Sequence, residues 1–205
     1  MLQFSAVSPE ALELLKEIQD LPVLNDFYLV GGTALALHYG HRISVDLDFF
    51  TEKEFDTRIL IDSFNEKYEL EILSQAKNSL TLNIRSVKTD FIRHNYPLLN
   101  PVQKIEGIKL LSVEDIAAMK LNSTMNPGSK KDFYDIDELL NHFTLSELVS
   151  FHNTKYDFSS PMILLKNLVY FADEEHEPDP VSVKSNNWSL VKQKIDDAVS
   201  LYSKR

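Results

Sequence analysis

Two aspartates one residue apart, Asp46 and Asp48, alternate with Val45, Leu47 and Phe49 in an otherwise apolar run. On a strand, side chains two apart share a face and lie roughly 6.5–7 Å apart at the backbone. Two carboxylates so placed can converge on divalent cations, and their oxygen donors suit magnesium. Without a cation or a basic partner, two anions flanked by such apolar neighbours would be costly to bury. The bland alternative is an exposed acidic face on an edge strand. Upstream, Gly31 and Gly32 stand between a short apolar run and a helical segment. Glycine there lets backbone N–H groups approach a ligand, and a helix N-terminus favours an anion. Thr33 adds a hydroxyl, so the unit could hold a phosphate chain; alone, it is as readily just a turn. Both features ask for one ligand, a metal-bound triphosphate.

The elements that must position these residues follow from periodicity and capping. Ser8, Pro9 and the spacing of Leu12, Leu15 and Ile18 predict a helix over 8–20. Phe27 to Val30 is a short buried strand, Thr33 to Tyr39 a helix closed by Gly40, and Val45 to Phe50 a second strand. A helix is expected over 55–67, with Asp56 and Asp62 solvated, then strands near 68–74, 79–85 and 87–93. Pro97 and Pro101 mark an irregular connection. Beyond residue 110 the texture turns helical. Ser112 and Asp115 resemble a capping box for a helix reaching about Asn122. Asn126-Pro127-Gly128 breaks it, Ser129 caps another helix through Leu140, and more helices are expected near 144–152, 160–172 and 188–202. The run from Asp173 to Pro180 reads as an exposed acidic loop. The expected organisation is a mixed α/β half, 1–110, and a helical half, 111–205.

Composition narrows the function classes. The 205 residues contain no cysteine, which excludes a disulfide framework, a thiolate zinc site and a cysteine nucleophile. His38 and His41 lack further ligands at zinc-like spacing and read as turn and surface residues. Neither a GxSxG elbow nor a P-loop occurs. No apolar stretch approaches the roughly 20 residues that span a bilayer, and no signal peptide is evident, so a cytoplasmic location is expected. The net charge of −10 is uneven. Residues 1–75 carry 5 basic and 14 acidic side chains, residues 76–131 carry 9 and 4, and the remainder 7 and 13. A basic island within an acidic chain keeps a polyanionic partner such as RNA open, with affinity falling as salt rises.

Gly31-Gly32-Thr33, twelve intervening residues and Asp46-Leu47-Asp48 resemble the signature of the nucleotidyltransferase superfamily that includes DNA polymerase beta. The stretch LVGGTALALHYGHRISVDLDFF (29–50), followed by AAMKLNSTMNPGSKKDFYDIDELL (117–140), is similar to the AbiEii/AbiGii toxin family within it. The resemblance covers residues 25–143 and reaches the C-terminal helices only by position. It implies an α+β fold with a polymerase-beta-like mixed sheet and flanking helices, and a helical half that contributes Lys and Asp residues to the cleft. It implies a third carboxylate on a neighbouring strand, for which Asp90 is the candidate, so that Asp46, Asp48 and Asp90 would hold two magnesium ions. Gly31, Gly32 and Thr33 would position the phosphates of an NTP. Lys120, which falls in the apolar stripe of its helix, either snorkels at the core edge or faces phosphate. Lys131 and Asp132 are carried over as site residues, although Asp132 also suits a helix N-terminus. Arg42 contacts the nucleotide or pairs with a carboxylate, and Asp135 is a second polar member or part of a solvated face. The implied activity is transfer of NMP to an acceptor hydroxyl, on RNA such as tRNA or on a small molecule, by a toxin paired with an antitoxin. The remaining possibility is a domain that binds nucleotide or protein without turnover; the intact Asp46-x-Asp48 pair argues against it.

Overall fold

The computed structural model describes residues 1–125, 128–157, 161–184 and 187–204. The expected break at Asn126-Pro127 and the start of a helix at Ser160 lie outside those residues. Two compact units divide the chain. The first comprises residues 1–40, 44–97 and 101–111; the second comprises 41–43, 98–100 and 112–205.

The first unit is a seven-stranded mixed sheet with three α-helices. In chain order these are α1 (Pro9–Ile18), β1 (Tyr28–Val30), α2 (Gly31–Tyr39), β2 (Leu47–Thr51), α3 (Thr57–Asn65), β3 (Leu70–Ala76), β4 (Ser79–Ile84), β5 (Val87–Arg93), β6 (Gln103–Ile105) and β7 (Ile108–Leu110). The order across the sheet is β3-β4-β5-β2-β1-β7-β6. β2 runs antiparallel to β1 and parallel to β5, so it lies inside the sheet and not at an edge. Ser8 caps α1 by accepting from the Ala11 amide at 3.2 Å, with Pro9 at the first position. Along β2, Leu47, Phe49 and Thr51 are buried while Asp48 and Phe50 are half-buried. The buried side of the sheet is aromatic: Phe91 meets the rings of Phe27, Phe49 and Phe64 at 5.7, 5.5 and 5.4 Å.

The expected irregular connection after Pro97 ends instead in a hairpin. β6 and β7 are joined by Glu106 and Gly107, both with positive φ, the backbone of a tight two-residue turn. Strands of three residues carry too little alternation for a periodicity argument to register them. α2 begins at Gly31 itself, two residues earlier than expected, because Gly31 takes φ +68° and turns the chain directly into the helix.

The second unit is helical: α4 (Val113–Ser123), α5 (Lys130–Leu139), α6 (Leu145–Lys155), α7 (Pro161–Leu168) and α8 (Trp188–Ser203). Phe133, Phe171 and Trp188 pack edge to face at 5.3–5.8 Å, and Tyr134 stacks on Trp188. Asp115 and Lys155 pair at 2.7 Å with both side chains fully buried. The same carboxylate accepts from the Leu99 and Asn100 amides and from Ser112 Oγ, which supplies the hydrogen bonds a buried charge requires. The acidic run from Asp173 is not simply an exposed loop. Glu174 is buried and its pKa is raised, chiefly by burial. Glu175 accepts from Trp188 Nε1 and Lys192, and Glu177 from the Lys130 amide. At Glu175 and Glu177 cations and amides distant in sequence meet the charge, whereas Asp173 and Glu177 still repel Glu174.

Candidate active site

The carboxylates of the first unit are assembled by strand register. Asp46 lies just before β2, Asp48 within it, and Asp90 is the Cα partner of Asp48 on β5. Partners on parallel strands point to one side, so Asp48 and Asp90 occupy the sheet face opposite Leu47, Phe49 and Phe91, with Asp46 near enough for its charge to act on Lys88. On the other neighbour, Val30 pairs with Asp48, and the next residue is Gly31. A Cβ built on Gly31 would fall 3.1 Å from the Asp48 Cγ and push that side chain aside, and the φ of +68° independently favours glycine. The N-terminus of α2, which has no side-chain cap, therefore opens directly beside a carboxylate. Thr33 is buried: its hydroxyl lies 2.8 Å from Ser44 Oγ and donates to the Asp46 carbonyl. That hydroxyl ties α2 to the segment leading into β2.

One cation stands among these acids that the sequence reading overlooked. Lys88 Nζ donates to Asp90 Oδ2. Partial burial opposes its charge, but the hydrogen bond and the fields of Asp90, Asp48 and Asp46 outweigh that and raise its pKa. Lys88 lies two residues before Asp90 on β5, so alternation alone would have placed it on the acidic face. The donor chemistry fits a hard divalent cation: oxygen ligands on one face, with an ammonium already drawn into their field. Among the described residues, no group of three or more acidic or histidine side chains is arranged to hold a metal ion as it stands.

The remaining candidates lie in the second unit, around Asp135. This carboxylate is fully buried on α5. Its Oδ1 accepts from Arg42 Nε at 2.7 Å and lies 2.6 Å from His41 Nε2. Its Oδ2 accepts from Arg42 Nη2 at 3.0 Å and lies 2.7 Å from Lys120 Nζ. Arg42 thus pairs with a carboxylate, in a fork, and Asp135 belongs to no solvated face. His41, expected at the surface, is buried because it belongs to this cluster. Lys120 is buried and also donates to Asp132 Oδ1 at 2.7 Å. Asp132 Oδ2 in turn accepts from the amide and hydroxyl of Ser129, closing the N-terminus of α5. Burial works against every charge here. The Lys120 and Arg42 charges and the His41 hydrogen bond nevertheless hold Asp135 well below the usual carboxylate range. Lys120 likewise lowers Asp132, and the two carboxylates raise Lys120. Lys131 is exposed at the first turn of α5, while Lys130 is buried. Asp135 could have been suspected from its position three residues after Asp132; no local signal ties it to His41 and Arg42, more than ninety residues away.

Comparison with known proteins follows this geometry. The sequence matches the family described as nucleotidyl transferase AbiEii toxin, type IV TA system, over residues 13–106 and 67–203. An uncharacterised protein of Aquifex aeolicus is 41% identical over 177 residues, covering 82% of this chain and 84% of that one. Two solved structures share the fold. JHP933 from Helicobacter pylori superposes with a TM-score of 0.60 at 22% identity, covering 97% of this chain and 94% of its own. MenT4, a nucleotidyltransferase toxin from Mycobacterium tuberculosis, does so at 0.60 and 17%, covering 97% and 86%. No helix among the described residues is long and apolar enough to cross a membrane.

Proposed function

The chain belongs to the AbiEii family of nucleotidyltransferase toxins, and we propose that it moves NMP from an NTP to a hydroxyl of an RNA acceptor such as tRNA, using magnesium. The observation that carries this reading is the register pairing of Asp48 with Asp90 beside the open N-terminus of α2. Asp46, Asp48 and Asp90 would hold the divalent cations, whose chemistry is charge stabilisation at the triphosphate and at the attacking oxygen. Gly31 and Gly32 present backbone N–H groups at a helix start, where an anion is favoured. In the transfer, the acceptor oxygen bonds to the α-phosphorus and the bond from that phosphorus to the bridging oxygen breaks. Pyrophosphate leaves with the electron pair, and the hydroxyl proton passes to a carboxylate. Thr33 fixes α2 against the backbone of Asp46, so the phosphate-facing amides and the carboxylates keep one geometry.

In the second unit, Lys120, Lys131 and Asp132 are the proposed charge-offsetting and acceptor-orienting groups. For Lys120 the paired carboxylates support a cation held permanently protonated. Arg42 orients Asp135, which in turn holds Lys120. A cognate antitoxin is the expected protein partner.

The test incubates the protein with each labelled NTP, magnesium and total RNA, then separates RNA, protein and small molecules. Label in RNA, lost in Asp48→Asn with an unchanged circular dichroism spectrum, is the expected outcome. Label only in small molecules would replace RNA by a small hydroxyl acceptor, and full activity in Asp48→Asn would remove the site.

A further inference from the structure

Beyond the carboxylates, the same face of the sheet carries aromatic rings that the core does not use. Phe50 lies two residues past Asp48 and therefore on its face, about 6.5–7 Å further along β2. Its register partner on β5 is Ile92. The chain then continues to His94, whose amide donates to the Thr51 carbonyl at 2.8 Å. The His94 ring lies 5.1 Å from that of Phe50 at an interplanar angle of 32°, and the Tyr96 ring lies 4.8 Å from that of His94. The run opens outward: Phe50 and His94 are half-buried and Tyr96 is 44% exposed. By contrast, Phe27, Phe49, Phe64 and Phe91 close the core on the other side.

The position of the rings relative to the phosphate end is fixed by pairing. β1 and β2 are antiparallel, with Tyr28 opposite Phe50 and Val30 opposite Asp48. Gly31 and Gly32 follow Val30, so along the strand axis the order is glycine turn, carboxylates, rings. In-line displacement places the attacking and leaving oxygens on opposite sides of the α-phosphorus. With the departing pyrophosphate at the glycine turn, the acceptor hydroxyl comes from the side of the rings. A nucleic-acid terminus brings a base with that hydroxyl, and adjacent half-exposed rings, tilted at 32° and 46° to one another, offer faces that receive a base of any sequence through its π-face.

We propose that Phe50, His94 and Tyr96 form a stacking platform for the terminal base of a single-stranded RNA acceptor, aiming its ribose hydroxyl at Asp48 and Asp90. The inference rests on the transfer reading above and sharpens it, since a small hydroxyl compound without a planar group gains nothing from the rings. Stacking also suits an acidic protein, because it draws on apolar contact and not on phosphate neutralisation.

The test uses a short single-stranded RNA with 2-aminopurine at its 3′ end, whose fluorescence falls when that base stacks. Wild type is expected to quench it, and to leave the same probe base at the 5′ end bright. Tyr96→Ala and His94→Ala should remove the quench and weaken oligonucleotide binding by at least about fivefold, while Tyr96→Phe keeps both. In transfer assays the alanine variants should raise the KM for RNA and leave that for NTP within about twofold. Unchanged quenching in both alanine variants, or no quenching by wild type, overturns the platform. So does a rise in the KM for NTP alone, which would give the rings to the incoming nucleotide. Binding and quenching are read without transfer, so a wild type that stacks the RNA terminus yet labels only small molecules would overturn the transfer reading and not the platform.

Discussion

Gly31 and Asp48 constrain one another more tightly than any other pair at the proposed site. The positive φ of Gly31 favours glycine, and a Cβ there would push the Asp48 carboxyl aside. Gly31→Ala therefore costs twice, through the left-handed backbone and through displacement of Asp48. The backbone alone accounts for about 1–2 kcal/mol. The variant is expected to lose at least about 1 kcal/mol in urea denaturation and most of its transfer activity. Loss of stability without loss of activity would separate the turn from the chemistry. Lys88 illustrates a different legibility. Its identity and its spacing two residues before Asp90 were in plain view, enough to put the two on one face; the register of β5 against β2 adds the field of Asp48.

At the scale of elements, α5 shows how one residue can serve two ends. Asp132 closes the helix start through Ser129 and holds Lys120 through its other oxygen. Asp132→Asn keeps an oxygen that can accept from Ser129 and loses the charge facing Lys120. If Asp132 acts chemically, Asn should abolish most transfer in a protein that remains folded, although losing one of the two carboxylates on buried Lys120 lowers its stability. If it only caps, Asn should stay active and Asp132→Ala should lose about 0.5–2 kcal/mol. Paired activity assays and thermal melts of both variants decide between these. The capping signals of α1, α4 and α5 were legible because they are local, set by residues three or four apart. The β6–β7 hairpin was not, since its strands owe their existence to a parallel pairing of β7 with β1, some eighty residues away.

Across the whole chain, the cations of the basic island, residues 76–131, are drawn into pairs. Carboxylates or carbonyls hold Lys77, Arg85, Lys88, Arg93, Lys104, Lys109, Lys120 and Lys130. The exposed pairs among these add little to stability. The buried network around Asp135 matters more. Its depressed carboxylate pKa stabilises the fold fully above the unfolded value of about 3.9 and less as pH falls below it. The raised Lys120 pKa does the same below about 10.4, with the contribution lost as pH rises beyond that. The contribution of this network, read as the difference in denaturant midpoint between wild type and Asp135→Asn, should thus be level between about pH 5 and 9 and fall on either side. Asp135→Asn should lose about 3–5 kcal/mol at neutral pH, because it leaves Lys120 and Arg42 buried with one carboxylate fewer. A loss below about 1 kcal/mol would show that the cluster relaxes around the change.

The glycine turn, the alternating Asp46 and Asp48, the helix caps and the α/β-to-helical change of texture could all be read along the chain. Each depends on neighbours within a few residues, where backbone geometry and side-chain spacing leave few options. The family membership rests on the same local blocks in their order. Tertiary structure alone decided that Asp90 faces Asp48 across forty-two residues and that His41, Arg42 and Lys120 share one buried carboxylate. Register between strands and the pairing of buried charges are set by what else must be covered and neutralised, and that sum is made only when the chain is packed.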